Sequence, residues 1–551
     1  MSQLITTLTV LFGVTSLALA VAKKFNQPVI PTYIIAGIIA GLFIEESQIL
    51  ELAQLGIAFL VFVFGLKFDP ERLKSVAKDS QTATTMQVAI IGVTSYVTAT
   101  VLGYSSLDAI YFSIAASLSS SLIGLDLIER EVQLDLIHGR LAESIHLIQD
   151  IIALVMATIL INTVLTPSSI ITSLAYGSGL VIFALIARKW IYPAIIKQAK
   201  GSTEIVMLTG LTLLISYALV AEELGISIIV GSFAAGLTAA RFPYNSEMID
   251  TLGSVKDFFS IIFFTALGAL LNFPTPEVLF TSITLLVFTN LIKPGVTVVP
   301  LLQQGYDSRT SYLTSFSIDQ ISEFALIIAI QGYTLGRISG SMFESIILAT
   351  TASMIISSYT SRNKDLLYEK LSRLQILEST DRKIEEKTSI EEKLENHIII
   401  VGYDIQGKSI AENLNEIHQN YIVIENNPER ILELQKRGEN YIYGDIMHDK
   451  VWKKAKLKKA KLIVSTVPLI QISRKILSLD TETEKILRSE NIEEAAELMD
   501  QGAYYVSVED ILSSEVITEH VIGVMKDQSY REELRRKNLL EVRRYIEEQE
   551  G

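Results

Sequence analysis

"LAESIHLIQDIIALVMATIL", residues 141–160, joins two kinds of residue that rarely share a helix. Its second half is almost wholly apolar, while its first half carries Glu143, His146 and Asp150. Offsets of three and seven positions put these side chains on one helical face. The run that holds them, 139–165, has the ~20-residue length that crosses a bilayer. An ionisable group inside such a span marks an ion or proton path, unless it lies near an end and reaches the headgroups. Glu143 is about one turn from the start of the run and fits either reading. Asp150 is ~11 residues in at ~1.5 Å per residue, which places it near the midplane and favours the first.

Twelve further apolar runs accompany this one: 3–22, 28–44, 51–66, 82–103, 107–128, 169–195, 203–222, 226–240, 253–272, 275–302, 309–332 and 339–361. Together they predict a polytopic α-helical membrane protein of about thirteen transmembrane helices over residues 1–361. Lys23, Lys24, Arg72, Lys74, Lys78, Arg130, Arg140, Arg188, Lys189, Lys197, Lys200, Arg241, Lys256 and Arg309 fall in alternate connections. The other connections hold Glu45, Glu46, Glu51, Asp108, Glu222 and Glu223, with Arg337 the exception. Basic loops stay in the cytoplasm, so the amino terminus is expected outside and the carboxyl terminus inside, in the inner or plasma membrane. The first run lacks a basic stretch before it and is followed by Lys23-Lys24, so it reads as a membrane helix, not a signal peptide.

The bulk numbers agree. The 551 residues are 49% hydrophobic, with a mean hydropathy of +0.38 and a formal net charge of -14. That charge argues against a nucleic-acid partner. There are no cysteines, which excludes disulfides and thiol chemistry. Six histidines without an HExxH motif make a resident metal unexpected, and no enzyme activity is expected.

Ionisable residues recur inside two other runs: Lys293 in the eleventh, and Asp319 and Glu323 in the twelfth. Glu323 lies in the outer half of its run and reads first as a cap or ion-pair partner. "AASLSSSLIG" (115–124) and "SFSIDQISEF" (315–324) put clusters of polar residues, Ser119 and Ser120 among them, mid-span. Such spans unwind where freed backbone lines a cavity. Transporters with inverted repeats place unwound helices in matching positions and bind substrate between them.

After Ser361 the composition flips. Residues 362–395 are charged, with sparse Leu and Ile at helical spacing, and predict a helical linker. From 396 to 517 strands alternate with helices, predicting a cytoplasmic Rossmann-like α/β domain. "HIIIV", "YIVIE", "YIYGD" and "KLIVSTVP" are its strands, and 518–551 a charged helical tail. "VGYDIQGKSIAENL" follows the first strand in the setting of a dinucleotide-binding turn. Gly402 and Gly407 hold the first and third glycine places, Asp404 replaces the second, and Glu425 fits the ribose-binding acid. A carboxylate at 404 tolerates a mononucleotide better than a pyrophosphate. AMP, ATP and NAD(H) are the candidate regulators; a dimerisation module without ligand is the alternative.

"FGLKFDPERL" (64–73), "SLSSS" (117–121), "HGRLAESIHLIQDIIAL" (138–154), "GSFAAGLTAAR" (231–241), "FFSIIFFTALGALLNF" (258–273) and "DQISEFALIIA" (319–329) resemble the monovalent cation:proton antiporter-2 family, in its glutathione-regulated (Kef-type) potassium efflux branch. "YGDIMHD" (443–449), with Asp445, and "QGAYYV" (501–506) resemble the Trk/RCK N-terminal nucleotide-binding domain. The resemblance implies that Gln149 and Asp150 are the ion-binding pair, that Lys293 neutralises the acidic site, that spans five and twelve cross unwound, and that the chain forms a homodimer. This sequence departs from it at Glu143 and His146, where aliphatic residues are usual. It also has Ile321-Ser322 in place of a glycine pair, and Asp319 in place of a small residue.

The expected activity is monovalent cation/proton antiport, with K+ and Na+ both open. Deprotonated Asp150, with Gln149 and oxygens of Ser119–Ser121, offers hard ligands to a dehydrated cation, and the protonated form does not. Asp319 is a further candidate ion ligand; Glu143, His146, Glu323 and Lys293 are candidates for proton relay or charge compensation. No cofactor is expected for transport itself. An RCK-gated potassium channel and a transport-inactive membrane sensor are the alternatives; "VGY" at 401–403 lies at a soluble turn, unlike a selectivity filter.

Overall fold

Up to Arg362 every regular element is a helix among the residues described by the computed structural model. Those residues are 2–25, 27–44, 46–68, 70–121, 137–162, 166–193, 203–240, 244–306, 308–363, 367–368, 370, 394–444, 446–447, 449–526, 534 and 536. Asp445, Glu45, Arg130, Lys197, Lys200, Arg241, residues 371–393 of the expected linker and nearly all of the tail past Lys526 lie outside them. The chain divides into two compact units, one of residues 1–304 and 308–375, the other of residues 305–307 and 376–551.

The helices are α1 (Ser2–Lys24), α2 (Val29–Gly41), α3 (Glu46–Lys67), α4 (Pro70–Val101), α5 (Ser106–Ser117), α6 (Ile137–Leu160), α7 (Pro167–Trp190), α8 (Thr203–Glu223), α9 (Ile228–Ala239), α10 (Tyr244–Ala269), α11 (Pro276–Val287), α12 (Lys293–Gln304), α13 (Ser308–Phe316), α14 (Glu323–Thr334) and α15 (Gly340–Arg362). Many start on a hydroxyl cap: Ser105, Thr166, Thr275 and Ser339 each accept a backbone N–H from the first turn. Among the described residues eight helices are long and apolar enough to cross a membrane, α11 and α12 counting as one, and three shorter apolar helices accompany them. Of the thirteen expected spans, the other two are broken. α5 stops at Ser117, where Leu118 turns extended (φ -88°, ψ 149°). α13 and α14 are separated by the unwound residues 317–322.

Lipid tails give helices no hydrophobic reason to pair, so close packing has to supply the contact. Glycines do so here. A Cβ added to Gly268 of α10 would lie 1.9 Å from the Ile34 carbonyl oxygen of α2, and one on Gly37 would lie 2.0 Å from Thr265 O. Across α3 and α9, a Cβ on Gly65 would meet Phe233 O at 2.3 Å and one on Gly236 would meet Phe62 O at 2.0 Å. These crossings are backbone against backbone.

α11 runs into α12 through a π-turn, Phe288–Ile292, whose end is marked by Lys293 N–H donating to Phe288 O. Pro294 lacks the N–H that an α-turn would close on Asn290, and the helix widens by one residue just before it.

The second unit is a parallel sheet of six strands in the order β3-β2-β1-β4-β5-β6. Its elements are β1 (His397–Val401), α16 (Ile405–Glu416), β2 (Tyr421–Glu425), α17 (Pro428–Arg437), β3 (Tyr441–Tyr443), α18 (Asp449–Lys454), β4 (Ala460–Ser465), α19 (Ile470–Leu477), β5 (Glu484–Ser489), α20 (Ile492–Asp500), β6 (Tyr505–Val508) and α21 (Glu509–Lys526). The order reverses beside β1, where a doubly wound sheet opens a crevice for ligands. β1, β2 and β3 are buried along their whole length, as strands covered on both faces are. α21 runs through residue 517, so the α/β domain and the expected tail share one helix.

Candidate functional site

The breaks in spans five and twelve meet. Ser322 N–H donates to Leu118 O at 3.2 Å, Ser119 Oγ to Ile318 O at 2.9 Å, and Gln320 Nε2 to Ser120 O at 3.0 Å. Unwinding frees backbone groups that hydrocarbon cannot satisfy, and the two broken segments satisfy each other. Lys293 completes the junction. Its buried ammonium donates to Gln320 O at 2.8 Å and Leu118 O at 3.2 Å, one carbonyl from each break. Leu118 caps the C-terminus of α5, where a cation is favoured by the helix dipole.

Ile321-Ser322 stand where the resemblance led to the expectation of a glycine pair, yet the twelfth span still unwinds. Ser322 takes an ordinary extended conformation (φ -69°, ψ 142°), and its hydroxyl accepts Phe324 N–H to start α14. Ile321 N–H donates to Ser353 Oγ at 3.1 Å. Neither position needs a left-handed backbone, so glycine is dispensable here.

Asp150 lies on α6 beside this junction. It is 1% exposed, and neither carboxylate oxygen has a well-formed hydrogen bond. The Ser121 hydroxyl lies against it and donates to Glu323 Oε1 at 3.0 Å, linking the carboxylates of α6 and α14. An orphaned buried carboxylate is expensive, and a site that binds a cation or proton supplies the missing partner. Gln149 is also buried. Its Oε1 accepts Ser119 N–H at 2.9 Å, and its Nε2 donates to Gln87 Oε1 at 2.7 Å.

The remaining expected residues spread around this centre. His146, fully buried, lies beside the Ser317 backbone without a well-formed hydrogen bond. Glu143 is buried further along α6. The side chain of Asp319 turns to α15, where its Oδ2 accepts the Thr360 hydroxyl at 2.9 Å while its Oδ1 has no well-formed hydrogen bond. Asp319 is a charge that acts on Lys293, and Glu323 is the charge that acts on Asp150. The hydrogen bonds of Lys293 go to carbonyls and not to Asp150. Gln87, Asn290 and Thr360 were not singled out in the sequence. Asn290, inside the π-turn, donates to Asp319 O at 2.9 Å. Only Asn290 carried a local signal, an amide in an apolar run three residues before Lys293.

In the α/β unit, Gly402 has φ +92°, which suits glycine, and a Cβ on Gly407 would lie 2.1 Å from Gly402 O. Asp404 caps α16 by accepting Gly407 N–H at 2.9 Å. Its other oxygen is 3.8 Å from Arg488 Nη1. Glu425, at the end of β2, accepts Tyr403 N–H at 2.7 Å and the N–H groups of Asn426 and Asn427 at 2.8 Å. The turn thus brings Gly402, Asp404, Gly407 and Glu425 together. Burial pushes the Tyr403 phenol up to about 12, so its side chain is a neutral part of the core.

A family model described as sodium/hydrogen exchanger, transmembrane, matches residues 10–362, and a TrkA-N domain model matches 398–509. Over 522 residues the chain is 24% identical to the putative cation/proton antiporter YbaL of Escherichia coli (strain K12), covering 88% of this chain and 91% of that protein. It is 23% identical over 468 residues to the glutathione-regulated potassium-efflux system protein KefC of Shigella flexneri serotype 5b (strain 8401), covering 83% and 74%. Among solved structures, the sodium proton antiporter MjNhaP1 from Methanocaldococcus jannaschii superposes with a TM-score of 0.51 at 15% identity, over 67% of this chain and 99% of that one. That likeness is one of fold.

Proposed function

The chain belongs to the sodium/hydrogen exchanger family, and from that premise we propose a cation/proton antiporter in which K+ or Na+ competes with a proton for Asp150. The observation that carries the reading is the buried carboxylate of Asp150, without a well-formed hydrogen bond, beside two broken helices. A bare monovalent cation needs oxygen ligands, and this junction has carboxylate, hydroxyl and carbonyl oxygens from Asp150 and Ser119–Ser121. Protonation of Asp150 removes the charge that holds the cation, so one group cannot carry both at once. Exposing it to each side in turn exchanges one for the other. Asp319 is a second carboxylate that the cation meets near Lys293. Glu143 and His146, on the same helix as Asp150, form the proton path toward its amino-terminal end.

The amino terminus lies outside and the α/β unit in the cytoplasm, by the distribution of basic loops. A nucleotide at Gly402, Asp404, Gly407 and Glu425 regulates exchange; the Rossmann turn and the acid at the end of β2 support this. The protein works as a homodimer. The stripe Ile517, Val521 and Met525, exposed along α21, supports a second copy there. Membership of an exchanger family sets aside the channel and the transport-inactive sensor.

The test is cation-dependent proton movement in everted vesicles, with K+ and Na+ in turn. Asp150→Asn is expected to abolish it, and His146→Leu to shift its pH profile. Wild-type turnover by Asp150→Asn rules out the site; an unchanged profile in His146→Leu removes His146 from the path.

A further inference from the structure

Gln87 of α4 and Gln149 of α6 form a chain of hydrogen bonds that begins and ends on the break in span five. Ser119 N–H donates to Gln149 Oε1 at 2.9 Å, Gln149 Nε2 donates to Gln87 Oε1 at 2.7 Å, and Gln87 Nε2 donates to Ser117 O at 2.9 Å. All four residues are buried, with Gln87 and Ser119 at 0% exposure and Gln149 at 1%.

The chain has a fixed direction. An amide side chain can be turned over without changing its shape, so its orientation follows from its partners. Here both outer partners are backbone groups of unambiguous polarity. Ser119 N–H can only donate, so Gln149 must present its oxygen. That leaves Gln149 nitrogen for Gln87 oxygen, and Gln87 nitrogen for the Ser117 carbonyl. Turning either amide breaks bonds at both of its ends, and in this dry interior each orphaned group is costly.

We propose that Gln87 is a positioning residue of the ion site, and that Gln87 and Gln149 act as one relay holding the backbone of residues 117–119 in the shape that presents oxygens to the cation. Gln149 therefore serves the cation through Ser119 and not as a direct ligand, although it adjoins Asp150. This deepens the reading of Asp150 as the exchange site and rests on it. The relay also joins α4 and α6 to the break, so the carboxylate and the carbonyls it works with keep their spacing when the site changes exposure.

The experiment uses the full-length chain in proteoliposomes and measures proton movement against K+ and Na+ concentration. The variants are Gln87→Met, Gln149→Met, both together, and Asp150→Asn as control. Methionine matches glutamine in length and removes both polar groups. Each single change is expected to raise the cation KM by about tenfold, with kcat much less affected, because it loosens ground-state binding. The double variant is expected to be no worse than the worse single, as for groups that act as one unit. An unchanged KM in Gln87→Met, a fall in kcat alone, or a double effect equal to the product of the singles overturns the relay. Gln87→Asn keeps the amide but is too short to reach both partners. It covers the case of a misfolded Gln87→Met: a raised KM supports the relay and a wild-type KM overturns it. Exchange surviving in Asp150→Asn sinks the underlying ion site instead, so the two failures are told apart.

Discussion

Asp404 puts a carboxylate at the N-terminus of α16, where a helix favours an anion. In a dinucleotide site that place belongs to a pyrophosphate, and the second glycine lets it approach. Asp404 takes the amide of Gly407 for itself and adds a like charge. Asp404→Gly is therefore expected to tighten binding of NADH to the full-length protein by about tenfold, the scale of one helix-terminus charge interaction, and AMP by less. Calorimetric titration checks this; equal or weaker NADH binding by the variant counts against a phosphate seat at this turn. The residues of this turn were legible because they are neighbours in the chain: the six residues from Gly402 to Gly407 define the loop. The same holds for Asp150 and Lys293, conspicuous as charges among apolar residues. Gln87 was not legible. Its meaning depends on Gln149, 62 positions away, and an isolated glutamine in a span carries no sign of what it bonds.

Helix positions were readable from hydrophobicity, since each span must exceed a length set by the bilayer. The breaks were readable from polar residues that no straight helix would bury there. Strands β1 to β4 stood out as apolar runs. β5 did not, because "EKILRS" alternates between covered and exposed positions and includes Lys485 and Arg488. What no pattern revealed was how closely helices meet. Gly268→Ala would force α2 and α10 apart at the Ile34 carbonyl, and overpacking of this kind costs about 1–3 kcal/mol. Its melting temperature in detergent is expected to fall. Gly92→Ala on α4, where an added Cβ meets nothing within 4 Å, is expected to leave it equal or higher. Equal melting of Gly268→Ala and wild type would mean that this crossing does not hold the two helices.

At the scale of the whole molecule, the α/β unit has a pH dependence of its own, separate from transport. His397 is fully buried at the start of β1, its Nε2–H donating to Ala455 O at 2.8 Å. Burial holds the imidazole pKa below its ordinary 6.5. Between the folded and unfolded pKa values the unfolded chain binds more protons, so stability is fully present above 6.5 and falls as pH drops below it. The slope is at most about 1.4 kcal/mol per pH unit for one group. Hydrogen exchange of β1 in the full-length protein is expected to quicken relative to its intrinsic rate from pH 7 to 5.5, and less so in His397→Gln. An identical response in both would assign the sensitivity elsewhere. The glycine crossings bear on the exchange cycle in another way. Where two helices touch through their main chains, a carbonyl of one sits in the notch left by a missing side chain of the other. Sliding by even one residue would drive it into a Cβ, so the α2–α10 and α3–α9 pairs act as keyed joints. If Asp150 is exposed to each side in turn, as proposed, the movement is expected to run along surfaces outside those joints, with the keyed helices moving as fixed pairs.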